Sequence, residues 1–128
     1  MKFTVLGKPQ PKQRPRMTKS GHVYTPKQTK EYENIVGWTA RTVFKDNPSE
    51  QPFKVVLDIY LKLPQRTTHL EGSWCMKNID IDNVAKSVLD GLNGIVWLDD
   101  KQVVELSIRK YWSKEERIEV ELIEHKIE

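Results

Sequence analysis

Asn78-Ile79-Asp80-Ile81-Asp82-Asn83-Val84-Ala85-Lys86-Ser87-Val88-Leu89-Asp90-Gly91-Leu92-Asn93-Gly94-Ile95-Val96-Trp97-Leu98-Asp99-Asp100-Lys101-Gln102 is the stretch on which the reading of this chain turns. Val84, Val88, Leu89, Leu92 and Val96 recur at the spacing of an amphipathic helix. Asp82 and Asn83 stand where that helix would be capped, and Asn93-Gly94 reads as its stop, since glycine adopts the left-handed conformation cheaply. Lys86 and Asp90 follow Asp82 at intervals of four, along one flank. Asp80 and Asp82, two apart on an extended approach, point the same way. A helix from about Asn83 to about Asn93 is roughly 16 Å long. The segment from Gly94 to Asp100, if extended, runs back by roughly 20 Å. Such a path brings Asp100 beside Asp80 and Asp82 at the helix start. Three carboxylates meeting there repel unless a cation lies between them, and hard oxygen ligands suit Mg²⁺ or Mn²⁺.

Outward from this stretch, 128 residues allow one domain with a single core. A charged fraction of 30% beside an ordinary apolar fraction describes a globular chain rather than a disordered one. No apolar run approaches a membrane span, and the N-terminus lacks a signal-peptide core. The lone Cys75 excludes an internal disulfide and fits a reducing cytoplasm. His22, His69 and His125 are too scattered for a zinc site. The net charge of +3 hides an asymmetry: residues 1–30 carry Lys2, Lys8, Lys12, Arg14, Arg16, Lys19, Lys27 and Lys30 and no acid, so the remainder is net acidic. A localised positive segment of this kind attracts phosphate backbones.

In chain order, Lys2–Leu6 reads as a short strand. Gly7 to Arg16 contains three prolines, which remove backbone donors and hold the chain extended. The basic, proline-rich arm, about residues 7–24, therefore presents its charges on a semi-stiff, exposed segment. Thr25-Pro26 opens a helix whose apolar positions, from Tyr32 on, are Ile35, Val36, Ala40, Val43 and Phe44 and which ends near Lys45. Phe53 to Leu63 alternates strictly and is a long strand with one buried face. Pro64–Asn78 is a loop in which Trp74 either packs under the sheet or stacks on a base, packing being the commoner fate. After Asp100, residues 104–109 and 118–123 read as two strands joined into a hairpin by Ser113-Lys114-Glu115-Glu116. The result is an α+β fold, one small domain over 1–128. Its order is β-α-β-α-β-β, with a mixed sheet and helices mainly on one face.

An EF-hand is excluded, because its register from Asp80 places Ala85 at the obligatory glycine and Gly91 at the bidentate glutamate. From the residues alone the acids also admit a plainer reading, in which Asp82 caps a helix, Lys86 and Asp90 form a surface pair, and Asp99-Asp100 make a turn. Ile79 to Leu92 followed by Asp99-Asp100-Lys101-Gln102-Val103, together with Gly7 to Arg16 and Tyr24-Thr25-Pro26, resembles the RusA family of Holliday-junction resolvases. The pattern Asp-x-Asp-Asn-x-x-Lys with a downstream Asp-Asp is specific, whereas a lone Asp-x-Asp is not.

The resemblance implies Asp80, Asp82 and Asp100 as metal-binding catalytic residues and Lys86 as a catalytic or phosphate-contacting lysine. It gives secondary acidic positions at Asp90 and Asp99. It further implies a homodimer that uses Mg²⁺, with Mn²⁺ as substitute and no small-molecule cofactor, to cut four-way DNA junctions by paired symmetric nicks in recombination and repair. A cytoplasmic location in a bacterium, from a chromosomal or phage gene, goes with it. Lys8, Lys12, Arg14, Arg16, Lys19 and Lys77 are the expected DNA contacts. One departure is Asn78-Ile79, where the family often has a basic residue or proline before the first aspartate. The alternatives are a nuclease acting on flaps or forks, and a junction-binding protein without turnover.

Overall fold

The computed structural model describes residues 1–127. The elements run β1 (Lys2–Leu6), β2 (Arg16–Met17), β3 (Val23–Tyr24), α1 (Lys27–Arg41), β4 (Phe53–Lys62), α2 (Ile81–Leu92), a 3-10 turn (Asp100–Gln102), β5 (Val103–Ser113) and β6 (Arg117–Glu124). The main sheet is mixed, in the order β1-β6-β4-β5, with β4 parallel to β5 and antiparallel to β6. This is the expected α+β order, with one addition: β2 and β3 pair as a two-residue ribbon within the basic arm.

The alternation of Phe53, Val55, Leu57, Ile59 and Leu61 sends one face of β4 entirely inward, each residue at most 1% exposed. Register extends that face across the sheet, pairing Leu57 with Val120 and Val5 with Ile118. Buried residues of both helices join the same core cluster: Tyr32, Val36 and Ala40 from α1, and Val84, Val88, Leu89 and Leu92 from α2. Full burial of one such side chain is worth about 1.5–3 kcal/mol, so this face anchors everything the helices carry.

The structure corrects the hairpin: β5 and β6 are consecutive, but β4 lies between them. Tyr60 pairs with Tyr111 on one side and Arg117 on the other, so residues 114–116 step over the end of β4. β4 has the longest wholly apolar face and gains most from two neighbours. β5 takes the edge, where Val104 and Leu106 remain 65% and 42% exposed. The face of α1 also differs from expectation. Thr29 joins Tyr32 on the inward side, while Ile35 and Val43 are 43% and 46% exposed. Pro26 stands at the cap position, and the helix ends at Arg41 before a looser turn through Phe44. No described helix is long and apolar enough to cross a membrane.

Candidate active site

α2 begins two residues earlier than its apolar spacing indicates. Asp80 occupies the cap position with extended backbone (φ −80°, ψ 104°), and Asp82 lies in the first helical turn. Asp80 and Asp82 therefore do not share one side of an extended segment, because residues two apart in a helix do not face each other. Asp80 makes no side-chain cap; its carboxylate accepts a hydrogen bond from Asn83 Nδ2 at 2.9 Å. Among the described residues the Asp82 carboxylate has no hydrogen-bond or ion-pair partner. An acid in the first turn is favoured by the positive end of the helix dipole.

Beyond α2 the chain turns tightly instead of running back extended. Gly94, at φ 77°, donates its N–H to the Trp97 carbonyl at 2.7 Å, and Trp97 Nε1 donates to Asn93 Oδ1 at 2.7 Å. This turn drives Val96 and Trp97 into the core, Trp97 packing edge-on to Phe53 with ring centroids 5.3 Å apart. Asp99 then caps the 3-10 turn, accepting from the Lys101 N–H at 2.9 Å. The Gln102 side-chain oxygen accepts from the Leu98 and Asp99 N–H groups, while its Nε2 donates to the carbonyls of Ser49 and Gln51. Gln102 thereby fixes the turn that aims Asp100 at α2, a role sequence reasoning missed. A capping glutamine three residues after an aspartate was the available signal.

Asp100 reaches α2 at Lys86, whose Nζ lies 3.0 Å from Asp100 Oδ2, one helical turn on from Asp82. The expected carboxylates thus stand at the cap (Asp80), in the first turn (Asp82) and against the Lys86 ammonium (Asp100). Among the described residues no three His, Cys, Asp or Glu side chains are gathered closely enough to hold a metal ion. Lys86 also lies 3.3 Å from Asp90 Oδ1. The hydrogen bond to Asp100 is the main reason its ammonium titrates above the ordinary lysine value; burial opposes this and Asp90 adds to it. Lys86 is therefore a cation at neutral pH, suited to an anionic partner and unsuited to taking a proton.

Asp90 faces a second lysine. Its Oδ2 lies 2.5 Å from Lys12 Nζ, which is also 3.2 Å from Glu33 Oε1. Burial is the largest effect on Lys12 and lowers its pKa, but the two carboxylates together outweigh it and the net shift is upward. Lys12, with a side chain 23% exposed, was expected to contact DNA; the structure makes it a latch joining the arm to α1 and α2. The helices meet closely enough for this because both contribute glycine where they cross. A Cβ on Gly91 would fall 2.8 Å from the Glu33 carbonyl, and one on Gly37 2.6 Å from Ile95 Cδ1.

The arm is further pinned by Lys12 N–H to the Asn83 carbonyl, Gln13 N–H to Thr29 Oγ1, and Ser87 Oγ–H to the Gln10 carbonyl. Beyond Gln13 it projects as the exposed β2–β3 ribbon. Lys8, Arg14, Arg16 and Lys19 are exposed and make no ion pair among the described residues. Lys77 is exposed in the same way, while its carbonyl, with that of Ile79, receives Lys110 Nζ at 2.7 and 3.4 Å. Lys110, from β5, thus ties down the approach to Asp80, and nothing in its local sequence announces that.

The match to known proteins covers this whole constellation. A family model described as Endodeoxyribonuclease RusA matches residues 7–123. The chain is also 30% identical over 132 aligned positions to "Uncharacterized protein YqaN" of Bacillus subtilis (strain 168), covering 94% of this chain and 93% of that one.

Proposed function

The chain belongs to the RusA endodeoxyribonuclease family, and on that premise we propose that it resolves four-way DNA junctions by metal-dependent, paired symmetric nicking as a homodimer. The observation that carries the reading is the Lys86–Asp100 contact at 3.0 Å, because it brings two charged groups 14 residues apart onto α2, within a family match that includes both. The donor set is all carboxylate, which fits Mg²⁺ or Mn²⁺ and does not fit softer metals. Asp80, Asp82 and Asp100, which are not gathered round one point here, would have to close about the ion to hold it. When bound, it lowers the pKa of a water and neutralises charge on the scissile phosphate.

The chain's own groups do the rest. Lys86, kept protonated by Asp100, faces the position where phosphate charge develops and stabilises it. Asn83 restrains the Asp80 carboxylate, and Asp82 remains available. Lys8, Arg14, Arg16, Lys19 and Lys77 hold backbone phosphates without reading bases. Two copies related by a two-fold axis present paired sites to a junction of matching symmetry.

Cleavage of a synthetic four-way junction in Mg²⁺, compared with flaps and forks, tests the reading. Asp82→Asn and Asp100→Asn should stop cutting and leave junction binding largely intact. Variants that still cut would overturn the assigned acids, and single nicks on flaps alone would replace a resolvase with a flap nuclease. Light scattering tests the dimer.

A further inference from the structure

We propose that Trp74 is a stacking platform for an unpaired DNA base; this rests on the DNA-cleaving function above and deepens it. Trp97 and Trp112 are buried, as tryptophans usually are, but Trp74 is 67% exposed. It is nevertheless not loose. Its loop is stitched to the edge of β5 by Gly72 N–H to the Trp112 carbonyl at 2.8 Å, Trp112 N–H to the Ser73 carbonyl at 2.9 Å, and Cys75 N–H to the Lys110 carbonyl at 3.1 Å. The neighbouring Cys75 side chain is buried, so the backbone beneath the indole is anchored from below.

Above that backbone the indole stacks on Tyr111, centroids 5.0 Å apart and planes 18° apart. Tyr111 stacks in turn on Tyr60 at 5.4 Å and 26°, and the Arg117 guanidinium lies 3.9 Å over the Tyr60 ring. The ladder covers one face of Trp74 and holds its plane, while the exposed area leaves the other face to solvent. Trp38, comparably exposed on α1, has no such stacking partner and is not held in this way.

A rigid aromatic face with one side open suits any nucleobase, because every base offers a π surface. The surrounding charge favours DNA as the occupant over a second copy of the chain. Asp58 and Glu119, the acids facing Tyr60, are paired with Arg109 and Arg117, Glu71 is turned to the Lys114 N–H at 2.8 Å, and Lys77 and Arg66 are exposed on the loop without an ion pair among the described residues. The loop leads directly through Ile79, held by Lys110, to Asp80 at the mouth of α2. Tyr60 alternates with the inward-facing Ile59 and Leu61, so the platform lies on the sheet face away from α2 and would take a base held apart from the proposed acids.

The test uses the full chain in EDTA, so that it is independent of cutting. A fluorescent oligo-dT strand, the same strand with abasic sites, and a blunt duplex are titrated with wild type, Trp74→Ala, Trp74→Phe and Trp74→Leu. Trp74→Ala and Trp74→Leu should lose about 5- to 150-fold in affinity for oligo-dT, and Trp74→Phe much less. Wild type should show a similar loss on the abasic strand, with duplex binding within about twofold for every variant. Trp74→Leu keeps apolar bulk without a π face, so unchanged melting temperature beside lost binding separates stacking from folding. Equal binding by wild type and Trp74→Leu, an equal loss on duplex, or a fall in dimer fraction by light scattering would overturn the platform. A wild type that prefers single strands through Trp74 but cuts no junction would instead sink the nuclease reading.

Discussion

The basic arm and the acidic helix are held in opposite ways. α2 is embedded: its apolar face is buried, and Asp80, Asp82, Lys86 and Asp90 ride on backbone fixed by the core. The arm is anchored only over its first half, at Gln10, Lys12 and Gln13, and beyond Arg14 it has little but a two-residue ribbon to hold it. Groups that must meet reacting atoms gain from rigidity, whereas groups that grip a flexible polyanion gain from reach. Lys12 joins the two regimes, since Asp90 accepts from Lys12 of the arm with one oxygen and faces Lys86 with the other.

Removing one acid from the rigid part should have the largest effect. Asp82→Asn should lower junction cleavage by roughly 10³-fold or more, exceeding the 10- to 100-fold typical of a ligand's supporting partners, with the melting temperature unchanged. Steady-state cleavage assays check it, and a loss below about tenfold would mean that α2 is rigid for some other reason. Charge reversal at Arg14 and Arg16 should act on affinity alone. The salt dependence of binding should flatten by about two in log–log slope, while the rate at saturating enzyme holds. A drop in that rate would place the arm's outer half in the chemistry and erase the contrast.

Two substitutions probe the junction of the regions. Lys12→Met leaves Asp90 and Glu33 facing each other, with side chains 15% and 18% exposed. Between the values for surface and buried pairs, a loss of about 2 kcal/mol is expected in denaturant unfolding. Gly91→Ala forces a methyl against the Glu33 carbonyl at 2.8 Å and Val36 Cβ at 3.0 Å. Spreading the helices there should cost about 1–3 kcal/mol. It should also loosen the Lys12 grip, so the double variant should lose less than the sum of the singles.

How far the sequence disclosed this arrangement depended on where each partner lay. The apolar rows of β4 and α2 repeat at the period of their own element, so Leu57 and Val88 were readable from their immediate neighbours. So was the acidic pattern at Asp80, Asp82 and Asp99-Asp100. The central place of β4 was not, because a three-residue link between β5 and β6 suits a hairpin and also suits a step over an intervening strand. Lys12 carries no local mark that distinguishes it from Arg14. Its partners are 21 and 78 residues away, and only the crossing at Gly37 and Gly91 brings them within reach. The start of α2 was misjudged by two residues because Asp82, with a good capping side chain, is taken into the first turn while Asp80 holds the cap position without using its carboxylate.

The smallest effect lies in the pH dependence of that same latch. Lys12 is raised above 10.5 in the folded protein, with burial opposing and the Asp90 and Glu33 bonds prevailing. A cation whose folded pKa is raised contributes its full stability below the unfolded value and loses it as pH climbs through the folded one. The contribution should therefore be intact at neutral pH and fade only above about 10.5. Tyr32 complicates absolute measurements, because burial raises its phenol too and it loses stability in the same alkaline range by the same sign. The difference between wild type and Lys12→Met cancels Tyr32. That difference should be constant from pH 7 to 10 in denaturant unfolding and shrink above about 10.5. A gap that narrowed already at pH 8 would mean that burial prevails over the two carboxylates and that Lys12 loses its proton there.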